Sequence, residues 1–226
     1  MTSDERWLAA MWPFVRAWLP PPPARVLEIG CGLLGGFVPA LLGAGYDAVG
    51  VDPEAPDAPN YHRVEFEQYQ PPQPVDCVVA CTSLHHVGNL DVVLDQVAAS
   101  LVPDGPVVVV EWAWERFDEA TARWCFDRLA PADPAAEPPW LHRRREDWVA
   151  AGQPWEACCR EWAAQEGLHT GQAITRALDA RFDRRLHVVG PYFFADLLDI
   201  SEPDEQAAID AGQIQATGIR YAGRRL

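Results

Sequence analysis

Apolar runs alternate with helically spaced apolar residues along the first half of the chain. The runs RVLEI, YDAVGV, VDCVVAC and PVVVVEW predict strands, and Tyr61 to Glu67 predicts a short strand after the second run. The segments 37–44 and 89–102 predict helices, with Asn89 as the N-cap of the later one. Strands that alternate with helices indicate a doubly wound parallel sheet, whose ligand lies outside the carboxyl ends of the strands.

The two ends of the chain extend this pattern. SDERWLAAMWPFVRAWL predicts an amphipathic helix within residues 1–20, with Ser3 as its N-cap. Near the other end, RRLHVVGPYFF and QATGIRYAGRR predict two strands that flank a helix around 203–212. We therefore expect one domain over residues 1–226.

A tryptophan-rich segment, residues 112–182, interrupts the alternation after the fifth strand. It contains seven of the ten tryptophans and predicts helices over 115–129, 155–165 and 172–182, broken by PADPAAEPP. A helical insertion here is expected to stand over the ligand crevice as a lid that excludes water and shapes a substrate pocket. The same rings also favour a small satellite core, and both interpretations can hold together.

Composition narrows the range of partners. The net charge of −15 opposes binding to nucleic acid and to anionic membrane surfaces. All 18 basic residues are arginine, so lysine chemistry such as Schiff-base formation or a P-loop is excluded. The six cysteines lack C-x-x-C spacing, which favours reduced thiols in a cytoplasmic protein and predicts no metal site. The abundance of Ala, Pro, Gly and Arg favours a bacterium with a GC-rich genome, and nothing in the sequence determines an oligomeric state.

The glycine-rich stretch after the first strand carries the candidate chemistry. GCGLLG, residues 30–35, matches the pattern G-x-G-x-x-G, and Asp52 follows at the spacing of an acid that accepts from ribose hydroxyls. Glu28 lies two residues before the first glycine. A carboxylate there opposes a pyrophosphate and favours a ligand that has a cationic part.

These residues resemble the class I S-adenosylmethionine-dependent methyltransferases, whose first motif reads close to VLEIGCG and whose second strand ends in an acid, here Asp52. The resemblance implies an α/β, Rossmann-like doubly wound sheet of seven strands in the order 3-2-1-4-5-7-6, with the last strand antiparallel. It also implies S-adenosylmethionine as cofactor, S-adenosylhomocysteine as product, and methyl transfer to O, N or C of a small acceptor. We expect that acceptor to be aromatic or apolar.

The resemblance also implies a set of cofactor-binding residues. Glu67 matches the acid that reads the adenine amino group in this family, and Glu65 or Gln68 is an alternative for that role. The segment CTSLHHV, which begins at Cys81, is expected to border the methionine part of the cofactor. The predicted cofactor-binding residues are Glu28, Gly30, Cys31, Gly32, Asp52, Pro53, Glu67 and Cys81.

Three residues are candidates for catalysis. His85 and His86 carry imidazoles, the side chains that most often take a proton from a substrate near neutral pH, and Glu111 lies at the end of the fifth strand. For the histidines the other interpretation is a structural role, and for Glu111 it is a carboxylate hydrogen-bonded within the crevice. Methyl transfer proceeds largely by holding the acceptor in line with the methyl group, so the reaction does not require a general base.

Two other functions fit the glycine turn. A nicotinamide-dependent oxidoreductase predicts a parallel sheet without the terminal antiparallel pair. A protein that binds S-adenosylmethionine without turnover, or for non-methylating chemistry, is the second alternative, and absence of turnover predicts a closed crevice. The run Arg143 to Arg145 is interpreted as a solvated charge run in a loop, with an anion clamp as the alternative.

Overall fold

A computed structural model describes residues 2–131 and 138–226, in which seven strands form one sheet. The strands are β1 (Arg25–Ile29), β2 (Asp47–Val51), β3 (Tyr61–His62), β4 (Cys77–Cys81), β5 (Pro106–Trp112), β6 (Phe182–Gly190) and β7 (Gly218–Arg225). Their order is β3-β2-β1-β4-β5-β7-β6. The first five pair in parallel, and β7 is antiparallel to both β5 and β6. The predicted fold class and strand order are confirmed.

Eight helices are found in the described ranges, one before β1 and the others between strands. They are α1 (Ser3–Trp18), α2 (Val38–Gly43), α3 (Leu90–Ser100), α4 (Glu119–Phe126), α5 (Trp140–Ala151), α6 (Trp155–Gln165), α7 (Gly171–Asp179) and α8 (Glu202–Asp210). Asn89 caps α3 as predicted, accepting from the N–H of Val92 at 3.1 Å. No helix in the described part of the chain is long and apolar enough to cross a membrane.

The N-cap of α1 is Thr2, so the prediction of Ser3 is wrong by one residue. The hydroxyl of Thr2 accepts from the N–H of Glu5 at 3.1 Å, and the Glu5 carboxylate accepts from the N–H of Thr2 at 2.8 Å. This reciprocal pair satisfies two backbone donors at once, which fixes the helix start at Ser3.

Both faces of the central strands β4 and β5 are buried, which explains their continuous apolar runs. Val78 and Val107 lie in the cluster covered by α3 and α7. Their neighbours Val79 and Val108 lie in the opposite cluster, covered by α1 and α2. Alternate residues of each strand therefore meet different helices, as expected of a sheet between two helical layers.

The third strand is shorter than predicted. Its last ladder hydrogen bond joins the N–H of Asp52 to the carbonyl of His62. The chain then turns, and Phe66–Gln68 forms a 3-10 turn whose Phe66 ring enters the core. Gln96 of α3 donates to the carbonyl of Phe66 at 3.0 Å and stabilises this departure from the sheet.

The tryptophan-rich segment builds a third cluster beyond the carboxyl edge of β5. Trp112, Phe117, Leu141 and Trp155 belong to it, and Phe193 joins them from the segment after β6. The predicted helix 115–129 is a 3-10 turn, Trp114–Arg116, followed by α4. The predicted helix 172–182 is α7, which packs on α3 against the body of the sheet.

One helix of this segment was not predicted. Arg143 to Arg145 lie within α5 and not in a loop. Arg144 pairs with Asp147 one turn later at 2.6 Å, and its guanidinium lies 4.8 Å from the ring centre of Trp162. Most of the preceding stretch PADPAAEPP, predicted as a break between helices, lies outside the described residues.

Candidate active site

The chain leaves β1 through a glycine-rich turn, residues 30–36, at the carboxyl edge of the sheet. Gly30 has φ +78°, and a Cβ there would overlap the side chain of Ser83. Gly32 has φ +60°, yet no atom lies within 4 Å of the position its Cβ would take. The turn therefore packs tightly on the segment after β4 while leaving open space in front of Gly32.

Glu28 lies beneath this turn and is only 1% exposed. Its two carboxylate oxygens accept from the N–H of Phe37 at 3.0 and 2.8 Å, and a Cβ on Gly36 would overlap the carboxylate. Burial raises the pKa of Glu28 to about 8, against the opposing effect of the Phe37 and Val38 N–H groups. Glu28 therefore fixes the entry into α2 as well as lining a cavity.

Asp52 follows β2 and faces the same turn. One of its carboxylate oxygens accepts from the N–H of Gly32 at 3.0 Å, and the other accepts from the N–H of Glu54 at 2.7 Å. A carboxylate offers about four lone-pair sites, so about two stay available for hydroxyl donors of a ligand.

Two cavities open at this edge of the sheet and share a wall formed by Gly30, Gly32, Glu54 and Thr82. The first, which we call the Asp52 cavity, has a volume of about 410 Å³. The second, the Tyr192 cavity, has a volume of about 620 Å³. They lie on the two sides of the glycine turn, so an elongated ligand that crosses the turn can occupy both.

The Asp52 cavity contains three of the residues predicted to hold the cofactor, namely Asp52, Pro53 and Glu67, besides the shared glycines. Glu65 also lines it, so the structure keeps both acids as candidates for one contact. Gln68, the other alternative, does not line this cavity. His86 lines its wall, and burial together with the neighbouring imidazole of His85 lowers the pKa of His86.

The Tyr192 cavity lies between α1, the glycine turn, the start of α5 and the segment after β6. Its rings come from Trp7, Trp140 and Tyr192. Its acids are Asp4, Glu28, Glu54 and Asp196, its thiols are Cys31 and Cys81, and its remaining lining residues are Ser3, Leu8, Gly30, Gly32, Leu33, Leu34, Gly36, Thr82, Pro139 and Ala195.

Both thiols of the Tyr192 cavity are protonated at neutral pH. Burial and the charge of Glu28 raise the pKa of Cys31 to about 12. Burial and the charges of Glu28 and Glu111 raise the pKa of Cys81 well above its ordinary value. A thiol is a poor nucleophile without its thiolate form, so neither side chain is prepared to compete for a methyl group.

Glu111, the penultimate residue of β5, is fully buried and holds the segment after β4. One of its oxygens accepts from the N–H groups of Ser83 and Leu84 at 2.8 and 2.6 Å. The other accepts from the N–H of Trp112 at 2.9 Å and lies 2.7 Å from Nδ1 of His85. Burial alone raises the pKa of Glu111, but His85 and the backbone donors outweigh it, and the pKa lies below its ordinary value.

The structure therefore brings the three catalytic candidates together as neighbours, although none of them lines the Tyr192 cavity. The ring centres of His85 and His86 are 4.1 Å apart.

The backbone of the segment after β4 is unusual at Thr82, which has φ +52°, and the N–H of Thr82 donates to the carbonyl of Val110 at 2.8 Å. A left-handed threonine is strained, and such strain is typical of segments held in place for function.

Sequence analysis placed residues 192–194 in the strand RRLHVVGPYFF, which is wrong because β6 ends at Gly190, and it missed the residue that holds this segment. Glu205 of α8 is fully buried, and its carboxylate accepts from the N–H groups of Tyr192, Phe193 and Phe194 at 2.8, 3.2 and 2.6 Å. Burial raises the pKa of Glu205 to about 6. The grip positions Tyr192, whose ring stacks on Trp112 at 5.7 Å and 11°. No local sequence pattern predicts this contact, because Glu205 and the N–H groups that it binds come together only in the folded chain.

Among the described residues, 2–131 and 138–226, no group of three or more His, Cys, Asp or Glu is arranged to hold a metal ion. The site is therefore described by its two cavities and by the buried carboxylates Glu28, Glu111 and Glu205, each of which holds a backbone segment of the crevice.

Comparison with known structures supports the same fold. An S-adenosylmethionine-dependent methyltransferase from Mesorhizobium loti is 19% identical, with a TM-score of 0.56, covering 96% of this chain and 98% of its own. The N-methyltransferase NodS from Bradyrhizobium japonicum WM9, solved with S-adenosylhomocysteine, is 14% identical with a TM-score of 0.54, covering 99% and 96%.

A third similar structure has a different named substrate. Geranyl diphosphate C-methyltransferase from Streptomyces coelicolor A3(2), solved with Mg²⁺, geranyl diphosphate and S-adenosylhomocysteine, is 15% identical with a TM-score of 0.55, covering 98% of this chain and 80% of its own. At such identities the likeness establishes the fold and not the acceptor. No curated protein matches the sequence.

The family comparison is more direct. The methyltransferase domain family matches residues 5–154, which include most of α1, the glycine turn, Asp52, and the segments after β4 and β5. The chain therefore belongs to the methyltransferase domain family and is a class I S-adenosylmethionine-dependent methyltransferase.

Proposed function

We propose that this methyltransferase acts on a small organic acceptor that enters the Tyr192 cavity while the cofactor lies across the glycine turn. The observation that carries the proposal is the pair of cavities joined at Gly30, Gly32 and Thr82. With a methyl donor held across this wall, the Tyr192 cavity would have room for a second molecule.

The residues of the turn fit the cofactor. The space in front of Gly32 is free of protein atoms, so a ligand can approach its backbone where a side chain would intervene. Asp52 keeps lone pairs for ribose hydroxyls, and Pro53 with Glu67 or Glu65 supplies a surface and an acceptor for the adenine. On the other side, Gly30, Cys31 and Cys81 border the methionine part, above the carboxylate of Glu28.

S-adenosylmethionine supplies an electrophilic methyl group on a sulfonium. The protein contributes orientation and the exclusion of water: the rings of Trp7, Trp140 and Tyr192 enclose the acceptor side. We assign Glu111 and His85 to positioning, since Glu111 holds the N–H groups of Ser83 and Leu84 next to the shared wall. His86, on the wall of the Asp52 cavity, stays the one candidate of the three with access to a cavity.

The rival functions fit less well. A nicotinamide-dependent oxidoreductase predicts a sheet without the terminal antiparallel pair, and β7 is antiparallel to both of its neighbours. A protein without turnover predicts a crevice too closed for an acceptor, whereas the Tyr192 cavity holds about 620 Å³. A small-molecule acceptor of aromatic or apolar character suits that volume and its rings.

Native mass spectrometry of the freshly purified protein tests the cofactor half of the proposal. We expect bound S-adenosylmethionine or S-adenosylhomocysteine, and a rise of melting temperature with S-adenosylhomocysteine but not with NAD.

The Asp52→Ala variant should bind S-adenosylhomocysteine more than about ten-fold more weakly, because hydrogen bonds to a charged group contribute roughly 1.5–3 kcal/mol each. Retained NAD, or an unchanged dissociation constant in this variant, would contradict the assignment.

A further inference from the structure

We propose that the acceptor is an organic amine, cationic in solution, whose cation binds between the carboxylates of Asp4 and Asp196 and the rings of the Tyr192 cavity. This inference rests on the proposed function, because it names the substrate class of the same crevice. It concerns recognition of the acceptor and leaves open which of its atoms is methylated.

The first argument is the charge of the cavity wall. Its acids are Asp4, Glu28, Glu54 and Asp196, and none of the described lining residues is arginine or histidine. Burial raises the pKa of Glu28 to about 8 and keeps it largely protonated at neutral pH, so the negative charge comes from Asp4, Glu54 and Asp196. S-adenosylmethionine carries a sulfonium and an ammonium but also a carboxylate of its own. Its net positive charge therefore offsets only part of the negative charge of the wall. A carboxylate or phosphate acceptor would enter a field of its own sign, whereas an amine would be attracted.

One cation, Arg6, acts on Asp196 from outside the cavity and opposes part of this negative charge. Arg6 of α1 donates to the carbonyls of Phe194, Leu197 and Ile200 at 3.2, 3.3 and 2.8 Å. Its guanidinium thus joins α1 to the segment after β6, and Arg6 does not line the cavity. It positions the two elements that carry Asp4 and Asp196.

Asp196 is the second argument. Its Oδ2 accepts from Nε1 of Trp140 at 3.0 Å, which holds the carboxylate beside the indole. Burial raises the pKa of Asp196, and the charge of Asp4 acts in the same direction, against the hydrogen bonds of Trp140 and Ser3 and the charge of Arg6. A carboxylate destabilised by burial and by a second carboxylate is stabilised by an incoming cation.

The rings supply the third argument. The faces of Trp and Tyr attract organic cations within about 6 Å. Three such rings, Trp7, Trp140 and Tyr192, line the cavity together with the two acids. Leu33 and Leu34 of the glycine turn also line it and are 69% and 54% exposed, so they offer an apolar surface to the body of the molecule. An amine on an aromatic or apolar skeleton matches both features.

The test uses the full chain saturated with S-adenosylhomocysteine and matched probes that differ only in one group. Suitable sets are phenethylamine, phenethyl alcohol and 3-phenylpropionate, and tryptamine, tryptophol and indole-3-propionate. Titration calorimetry and melting shifts should favour each amine over its acid by at least about ten-fold in affinity. Added salt should weaken the amine selectively.

Two variants and a matched control locate the effect. Asp196→Asn keeps an oxygen for the Trp140 bond, and Asp4→Asn removes an exposed charge from the first turn of α1. Each should lower amine affinity by about ten-fold and leave S-adenosylhomocysteine binding unchanged. Asp47→Asn removes the same charge from an exposed residue at the amino end of β2, on the opposite edge of the sheet, and should change neither ligand.

The outcomes separate the two proposals. Failure to bind S-adenosylhomocysteine would overturn the proposed function itself. Binding of S-adenosylhomocysteine without any preference for the amines over their acids and alcohols would overturn only the amine assignment. A preference that survives both Asp196→Asn and Asp4→Asn would also overturn it, because the cation would then bind elsewhere.

Discussion

The two cavities of the crevice are built in different ways. The Asp52 cavity is lined by residues that directly follow β1, β2 and β4, together with a turn after β3. The Tyr192 cavity takes its distinctive side chains from α1, the start of α5 and the segment after β6, which are far apart in the sequence. The first is a property of parallel strands ending at one edge, whereas the second depends on how distant elements dock.

This contrast predicts that substitutions in the glycine turn damage both cavities, and that substitutions in the docked elements damage only the Tyr192 cavity. Four experiments examine this division, starting from the largest expected effect.

Gly30→Ala should have the largest effect. The added Cβ would overlap the side chain of Ser83 at a residue with φ +78°, so the shared wall of both cavities has to move. We expect S-adenosylhomocysteine binding to weaken by more than about 100-fold, measured by calorimetry. Gly152→Ala is the control, since φ is +61° with nothing within 4 Å, and it should cost only about 1–2 kcal/mol of unfolding free energy. Wild-type affinity in Gly30→Ala would show that S-adenosylhomocysteine does not depend on the shared wall at Gly30.

Glu205→Ala should break only the Tyr192 side. It leaves the buried N–H groups of Tyr192, Phe193 and Phe194 without their acceptor, at a cost of about 3 kcal/mol in unfolding free energy. Binding of amine probes should weaken, while S-adenosylhomocysteine affinity changes by less than about three-fold. Urea unfolding and calorimetry measure the two effects.

Glu146→Ala, on the exposed face of α5, serves as the control for Glu205→Ala and should change neither quantity. If Glu205→Ala weakens S-adenosylhomocysteine as strongly as it weakens the amines, then the two cavities are not separable.

Glu28, which lies beneath the shared wall, should make the free energy of unfolding depend on pH. Its pKa is raised from 4.5 to about 8, so the folded protein retains a proton that the unfolded chain has lost above pH 4.5. Stability is therefore lost as pH rises towards 8, by about 1.4 kcal/mol per pH unit, or about 2 kcal/mol between pH 6.5 and 8. Glu205, His86 and His187 titrate mainly below this window.

Urea unfolding at several pH values checks the slope, and Glu28→Gln should abolish it because the amide does not titrate. An equal slope in Glu28→Gln would assign the proton to another group. Glu111 is equally buried, yet its pKa is lowered, because His85 and three N–H donors stabilise its charged form. The charged form of Glu28 is stabilised only by the N–H groups of Phe37 and Val38, which do not outweigh burial.

Arg144→Ala should have the smallest effect. Arg144 pairs with Asp147 and stacks on Trp162 at the surface of the tryptophan-rich cluster, away from both cavities. Such contacts contribute less than about 1 kcal/mol each, so the melting temperature should fall by only a few degrees with ligand binding unchanged. A loss of amine binding in Arg144→Ala would contradict this expectation and would show that the outer face of α5 contributes to the amine site.

The sequence predicts the Asp52 side of the crevice better than the Tyr192 side, for a physical reason. Gly30, Asp52 and Pro53 follow strands with strong apolar patterns, and parallel strands end at one edge of their sheet, so local pattern implies their proximity. Glu67 shows the limit of that inference, because the chain leaves the sheet after His62 and reaches the cavity through a 3-10 turn.

Tyr192 and Asp196 carry no local signal of this kind. Their place beside Trp7 and Trp140 follows from Arg6 and Glu205, whose side chains grip carbonyl and N–H groups far away in sequence. The helix α5 was missed for a related reason: its polar residues form no apolar stripe, and its packing depends on Leu141 and Trp148 meeting rings of other helices. Prediction of such contacts requires the fold.

The grip of Glu205 has a consequence for protein engineering. It holds the N–H groups of the segment 192–194 and not their side chains, so any residue other than proline at position 192 can keep this grip. If the acceptor enters the Tyr192 cavity as proposed, substitutions of Tyr192 should reshape the wall of that cavity while this grip is kept. Position 192 is then the first place to test for a change of acceptor.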